Sequence, residues 1–196
     1  MTSTTTPDRT VTERLRAEHG PALSLGNDCD LSDDLVVEID QGAHLTIGDR
    51  VSIRRGSTIQ VHRGATVAIG NDVAIGEHTF ISAMAGIRLG DGCALSNMVD
   101  LHDHNHRPRT AANVPTGQLV PWASGYEAAP IVIEPAAILS NKVTVTAGSA
   151  SGPTRWSGRT RSSPTASPPT PSPRASRPSA AATSTAPPRR ERTTAP

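Results

Sequence analysis

Residues 45–101 read LTIGDRVSIRRGSTIQVHRGATVAIGNDVAIGEHTFISAMAGIRLGDGCALSNMVDL. Set out in sixes, IGDRVS and IRRGST run from Ile47, IGNDVA, IGEHTF and ISAMAG from Ile69, and LGDGCA and LSNMVD from Leu89. After a gap, IEPAAI, LSNKVT and VTAGSA resume the series at Ile133. Each unit opens on an aliphatic residue, often followed by Gly, and carries a small residue or Val at its fifth place. A helix repeats its apolar residues every 3.6 positions and a half-buried strand every second one. A period of six fits neither. It is the mark of a parallel β-helix, whose short strands form the flat faces of a triangular coil. The aliphatic opener points inward and stacks on its counterparts above and below, and the small residue fits the corner.

Composition agrees with a solenoid. Only 35% of the 196 residues are hydrophobic and 2% aromatic, too few for one large aromatic core. A stack of coils needs only a thin aliphatic column between neighbours. The net charge of +1 hides a split: 11 Lys+Arg stand against 17 Asp+Glu up to Gly152, and 8 Arg against one Glu from Pro153. Cys29 and Cys93 are far apart, with no CxxC spacing, so neither a disulfide framework nor a zinc knuckle is suggested. The Thr-rich N-terminus lacks the apolar stretch of a signal peptide and no long apolar run follows. The expectation is a cytoplasmic protein with no membrane partner.

Along the chain, residues 1–30 form an N-terminal segment, disordered over 1–7, with a short helix from Thr10 to His19 ended by Gly20-Pro21. The solenoid occupies 31–152, with coils from Leu35 to Leu101 and register slips between Ile59 and Ile69 and between Ile87 and Leu89. From His102 to Pro130 the beat stops, and it resumes at Ile131, so this stretch is an excursion out of the coil; long loops of this kind are usually functional. Residues 153–196 contain no Val, Ile or Leu and read as a disordered Pro/Ser/Arg-rich tail. Its arginines suit phosphates, but no RNP-like aromatic motif accompanies them, so no nucleic-acid partner is expected.

The tail has a second reading. With GC-rich codons and one C added to the run implied by Gly152-Pro153, the DNA for Thr154 to Pro178 spells HAVVGANSVVTHRLPAYTLAAGVPA. The beat then continues. In this shift the second base of each restored codon is fixed by the observed residue. Wobble sets only the first base, and a T in the second always encodes an apolar residue, so Trp156, Ser157, Ser162 and Ser163 (with TCN serines) each become apolar, spelled as valine in that string, in pairs six residues apart.

The excursion opens on LHDHNHRP, with His102, His104 and His106 alternating. On a strand these three share a face, which offers a zinc site as one reading and a solvated polar corner as the plain one. His44, His62 and His78 fall on repeat positions expected to face solvent.

The repeats, the Asn105-His106-Arg107 at the start of a long loop, the return at Ile131 and the frame-restored GVPA ending together resemble the hexapeptide-repeat acyltransferases, the group of galactoside, maltose, xenobiotic and capsular-sugar O-acetyltransferases. The resemblance spans about Leu35 to Gly152 plus the restored segment. It implies a left-handed parallel β-helix assembled as a homotrimer, with acetyl-CoA as acyl donor, no metal, and a hydroxyl of a sugar or glycosylated small molecule as acceptor. His106 matches the general base, with His104 two residues away as the fallback. Ser140, Asn141, Ala147 and Gly148 match the corners that line the CoA arm, and Trp122 and Tyr126 the acceptor side. The chain departs from the family where Ile133-Glu134-Pro135-Ala136-Ala137-Ile138-Leu139-Ser140 replaces IG-x-x-V-W-I-G. Two other readings stand beside this one: a catalytically dead scaffold whose CoA groove does not close, and a carbonic-anhydrase-like zinc hydratase. The latter needs two histidines five apart, whereas His102 and His106 are four apart.

Overall fold

A computed structural model describes residues 9–107, 125–151 and 155–156. Helix α1, Arg9–His19, precedes five triplets of short parallel strands. The first strands of the triplets, Leu23–Leu25, His44–Ile47, Thr66–Ile69, Ile87–Leu89 and Ile131–Ile133, stack into one sheet. The second strands, Asp30–Leu31, Ser52–Ile53, Ala74–Ile75, Ala94–Leu95 and Ile138–Leu139, form another, and Val36–Ile39, Thr58–Val61, Phe80–Ala83, Asp100–His102 and Thr144–Thr146 the third. The fold is an all-β parallel solenoid with one short N-terminal helix.

The six-residue series is its core. Leu25, Ile47, Ile69, Leu89 and Ile133 are register partners on the first face. Leu31, Ile53, Ile75, Leu95 and Leu139 follow on the second, and Val37, Ile59, Ile81, Leu101 and Val145 on the third. All but Leu25 are buried. Each such aliphatic side chain is worth about 1.5–3 kcal/mol taken out of water.

The extra residues of the slips all lie at one corner. Register partners sit 22 positions apart from Leu45 to Val67, 20 from Val67 to Ile87, 44 from Ile87 to Ile131, and 18 from Val132 to Ala150. The steps from the first to the third face stay at six, so every insertion falls between the third strand of one coil and the first of the next. The 102–130 excursion is the largest of a series at the same corner. The coils also begin earlier than Leu35, at Leu23, because Leu25 and Leu31 already hold inward positions that the polar Asn27-Asp28 between them obscures.

The helix closes the first coil. Val11 and Leu15 are buried, the Arg14 guanidinium donates to the Asp33 and Leu35 carbonyls (3.3 and 3.2 Å), and Arg16 donates to the Leu25 carbonyl (3.1 Å). An exposed strand edge invites further pairing, and such cover blunts it.

A polar ladder runs down another corner. The Asn27 N–H donates to Asp49 Oδ1, the Asp49 N–H to Asn71 Oδ1 and the Asn71 N–H to Asp91 Oδ1, at 2.7, 2.9 and 2.7 Å. This close stacking explains the repeated Gly. A Cβ on Gly48 would stand 2.8 Å from the Gly70 carbonyl oxygen, which is backbone and cannot yield. Gly48→Ala is therefore expected to destabilise by about 1–3 kcal/mol, read as a lower Tm by calorimetry. Gly42→Ala, with open space but φ +75°, carries only the strain of a left-handed backbone. Cys29 and Cys93 are buried free thiols, pushed up from the ordinary thiol pKa by burial.

Candidate active site at the loop root

The excursion leaves the enlarged corner on a short antiparallel pair of strands, His104–His106 with Tyr126–Ala128, in register His104↔Ala128 and His106↔Tyr126. Alternation along the His104–His106 strand puts His104 and His106 on one side. The ring of Tyr126 lies 5.7 Å from that of His104 and 4.4 Å from that of His106. His106 is exposed, whereas the His104 side chain is only 16% exposed.

What fixes His104 is Asp103, which is fully buried. Its Oδ1 accepts the Met84 N–H (2.6 Å), and its Oδ2 accepts the N–H groups of Ala85 (2.8 Å) and Gly86 (2.6 Å). A buried charge is tolerable when its lone pairs are met in this way. The same Oδ1 lies 3.2 Å from His104 Nδ1. Backbone bonds complete the root: the Ala129 N–H donates to the Asp103 carbonyl and the Gly148 N–H to the Ala129 carbonyl, at 2.9 and 3.0 Å.

Two further imidazoles flank His104. His62, expected on the surface, is half-buried with its ring 5.6 Å from that of His104; its Nε2 is 3.2 Å from Ser82 Oγ and its Nδ1 3.6 Å from Asp40. It was misplaced because the repeat treats it as an outward residue of the second coil, while the insertions turn its corner toward the later loop. His44 and His78 are exposed. The ring of His102 is 6.4 Å from that of His104, with Nδ1 3.0 Å from Asp100 Oδ1.

The bond to Asp100 outweighs desolvation and raises the His102 pKa above the ordinary imidazole value. A group raised on folding adds stability that is fully present below its unfolded pKa, about 6.5, and is lost as pH rises through the folded value. Asp100→Asn should thus lower Tm more at about pH 6 than at about pH 8.5, the higher value lying well above an ordinary imidazole; thermal melts at the two values check it.

Of the remaining sequence-derived candidates, Ala147 and Gly148 sit at this corner, where the Gly148 N–H donates to the Ala129 carbonyl of the returning loop. Ser140 and Asn141 lie at the other end of the Thr144–Thr146 strand, where Asn141 Oδ1 accepts the Asn97 N–H (3.1 Å) and continues a structural ladder. Trp122 lies outside the described residues, as do residues 1–7 and the tail from 157. Among the described residues, no group of three His, Cys, Asp or Glu is arranged to hold a metal ion, and no helix is long and apolar enough to cross a membrane.

No protein-family model matches the chain, and neither does any curated protein. Solved structures do. AntD, an N-acyltransferase from Bacillus cereus in complex with dTDP and 3-hydroxybutyryl-CoA, matches with TM-score 0.60 and 15% identity over 78% of each chain. A single-residue variant of AntD with dTDP-4-amino-4,6-dideoxyglucose and Coenzyme A matches with TM-score 0.55 and 14% identity, over 72% of this chain and 71% of that one. These likenesses are of fold: the parallel solenoid of this chain is shared with AntD.

Proposed function

We propose that this chain is an acyl-CoA-dependent acyltransferase that moves an acetyl group from acetyl-CoA to a hydroxyl of a sugar or glycosylated small molecule. The observation that carries it is the loop root, where a half-buried His104 is held by a buried carboxylate beside Tyr126 and the Gly148 corner. In the reaction, His104 Nε2 takes the acceptor's hydroxyl proton as its oxygen attacks the thioester carbon. A C–O bond forms, the C–S bond breaks, and the departing CoA thiolate recovers a proton from the imidazolium. An imidazole suits the task, with an ordinary pKa of about 6.5 near the working pH. His106 is the residue the motif marks. The burial and anchoring of His104 favour it over the exposed His106, which with Tyr126 then faces the acceptor.

A second acceptor reading, the amino group of a nucleotide-linked sugar, is favoured by the likeness to AntD, an N-acyltransferase solved with dTDP-4-amino-4,6-dideoxyglucose. Incubation with acetyl-CoA and matched hydroxyl- and amino-sugar panels, read as free CoA thiol, distinguishes the two; no thiol release with any acceptor counts against the proposal as a whole. The acting form is a cytoplasmic homotrimer with the groove between subunits, checked by sedimentation.

The reading also includes a shifted coding frame after Gly152. Its support is the register of the last strands: Val132 pairs with Ala150, 18 residues on, but Ile138 pairs with Arg155, only 17 on. Every earlier corner between these two faces spans one residue more. Sequencing the gene across Gly152 to Thr154 tests it.

A further inference from the structure

Asp103 is bonded asymmetrically, and the asymmetry bears on which nitrogen of His104 holds a proton. Oδ1 receives one backbone N–H, from Met84, and faces His104 Nδ1; Oδ2 receives two backbone N–H groups, from Ala85 and Gly86. A carboxylate oxygen carries no hydrogen to donate, so Nδ1 is the donor to Oδ1 and Nε2 keeps its lone pair. The proton position of a neutral imidazole follows the hydrogen bond that its other nitrogen makes. We propose that Asp103 is the positioning residue of this site, holding His104 in the Nδ1–H form with Nε2 bare, and that its own three backbone bonds make the asparagine variant invert that ring. The inference rests on the reading of His104 as the base.

The inversion follows from counting donors. In Asp103→Asn the side-chain NH₂ must replace one of the two oxygens. At the Oδ2 place it meets two N–H groups, those of Ala85 and Gly86; at the Oδ1 place it meets only that of Met84. Each buried donor left facing a donor is costly, and one fewer favours the second arrangement by roughly tenfold or more. The NH₂ then points at Nδ1, which must accept, so the proton moves to Nε2 and the base is lost. The variant keeps the shape of aspartate and two of the three backbone bonds, so the corner is weakened rather than abolished. The same logic makes a carboxylate-to-amide change costly in serine-protease triads, at about 10⁴ in kcat.

The test is a long-range proton–nitrogen spectrum of the full chain labelled with nitrogen-15 histidine at about pH 8, well above an ordinary imidazole pKa of about 6.5. The His104 signals are assigned by their loss in His104→Gln. Wild type is expected to show Nδ1 protonated and Nε2 bare, and Asp103→Asn the reverse. In acyl transfer, Asp103→Asn should lose roughly 10²–10⁴-fold in kcat with little change in KM. A wild-type ring carrying its proton on Nε2, or a variant ring keeping it on Nδ1, overturns the proposal. If the variant does not fold, the wild-type spectrum alone decides. The spectrum needs no substrate, so absent acyl transfer would sink the activity reading and leave the ring assignment standing.

Discussion

Replacing His104 with Ala is expected to lower kcat for acyl transfer by roughly 10²–10⁴-fold, the usual contribution of a positioned general base, while KM for acetyl-CoA changes little. The physical ground is that the ring has those of His62, His102 and Tyr126 within 5.6, 6.4 and 5.7 Å and is tied at Nδ1 to Asp103. Its Nε2 is thus presented without the entropic cost of ordering a free side chain. Among the described residues the ring neighbour of His106 is Tyr126 alone, and its side chain is exposed. His106→Ala is expected to cost less than about tenfold, mostly in KM, as for a group that touches the acceptor rather than moving its proton. Thiol release from acetyl-CoA against pH measures both. A larger loss at His106 than at His104 would transfer the base to His106. The double variant His104→Ala/Asp103→Asn should lose no more than His104→Ala alone, because residues acting as one unit are not additive.

Why the solenoid was legible and the site only partly so follows from where each signal lies. The inward positions repeat every six residues, and stacking like on like makes every coil restate the constraint. Ile47, Ile53 and Ile59 announce the same geometry as Ile133, Leu139 and Val145. The return at Ile131 was legible for that reason, and the helix for its own stop signal, ending at His19 ahead of Gly20-Pro21. The anchoring of His104 was not. The groups that hold Asp103 are backbone N–H groups of Met84, Ala85 and Gly86, and a backbone donor leaves no mark in side-chain identity. Asp103 sits next to His104 in the chain, but adjacency on a strand argues for opposite faces. Only the break from strand geometry at the corner lets the carboxylate bury and still reach the ring. His62 had a usable signal, because it lies in the same inserted corner, two coils earlier, from which the histidine-bearing loop departs.

A chain restored to the other frame by one C after Gly152 is expected to melt at least about 5 °C above the chain as it stands. Counted on in sixes, the series Ile133, Leu139, Val145 passes position 151 and reaches positions 157 and 163, both serine in this frame and valine in the restored string. As written, Ile138 pairs with Arg155 and Leu139 with Trp156, one residue ahead of that series. Two buried valines contribute about 1.5 kcal/mol each on the area scale, and each kcal/mol raises Tm by about 2–4 °C for a chain of this size. A solenoid also needs its last coil covered if apolar side chains and strand edges are not to be left open. The restored coil extends the corner that Gly148 begins, so binding to an immobilised CoA resin should rise together with Tm. Calorimetry and resin retention of the two chains, purified side by side, read both effects. Equal melting points and equal retention would leave the basic tail as a genuine extension, and the short final corner would then be a property of this protein rather than of its coding frame.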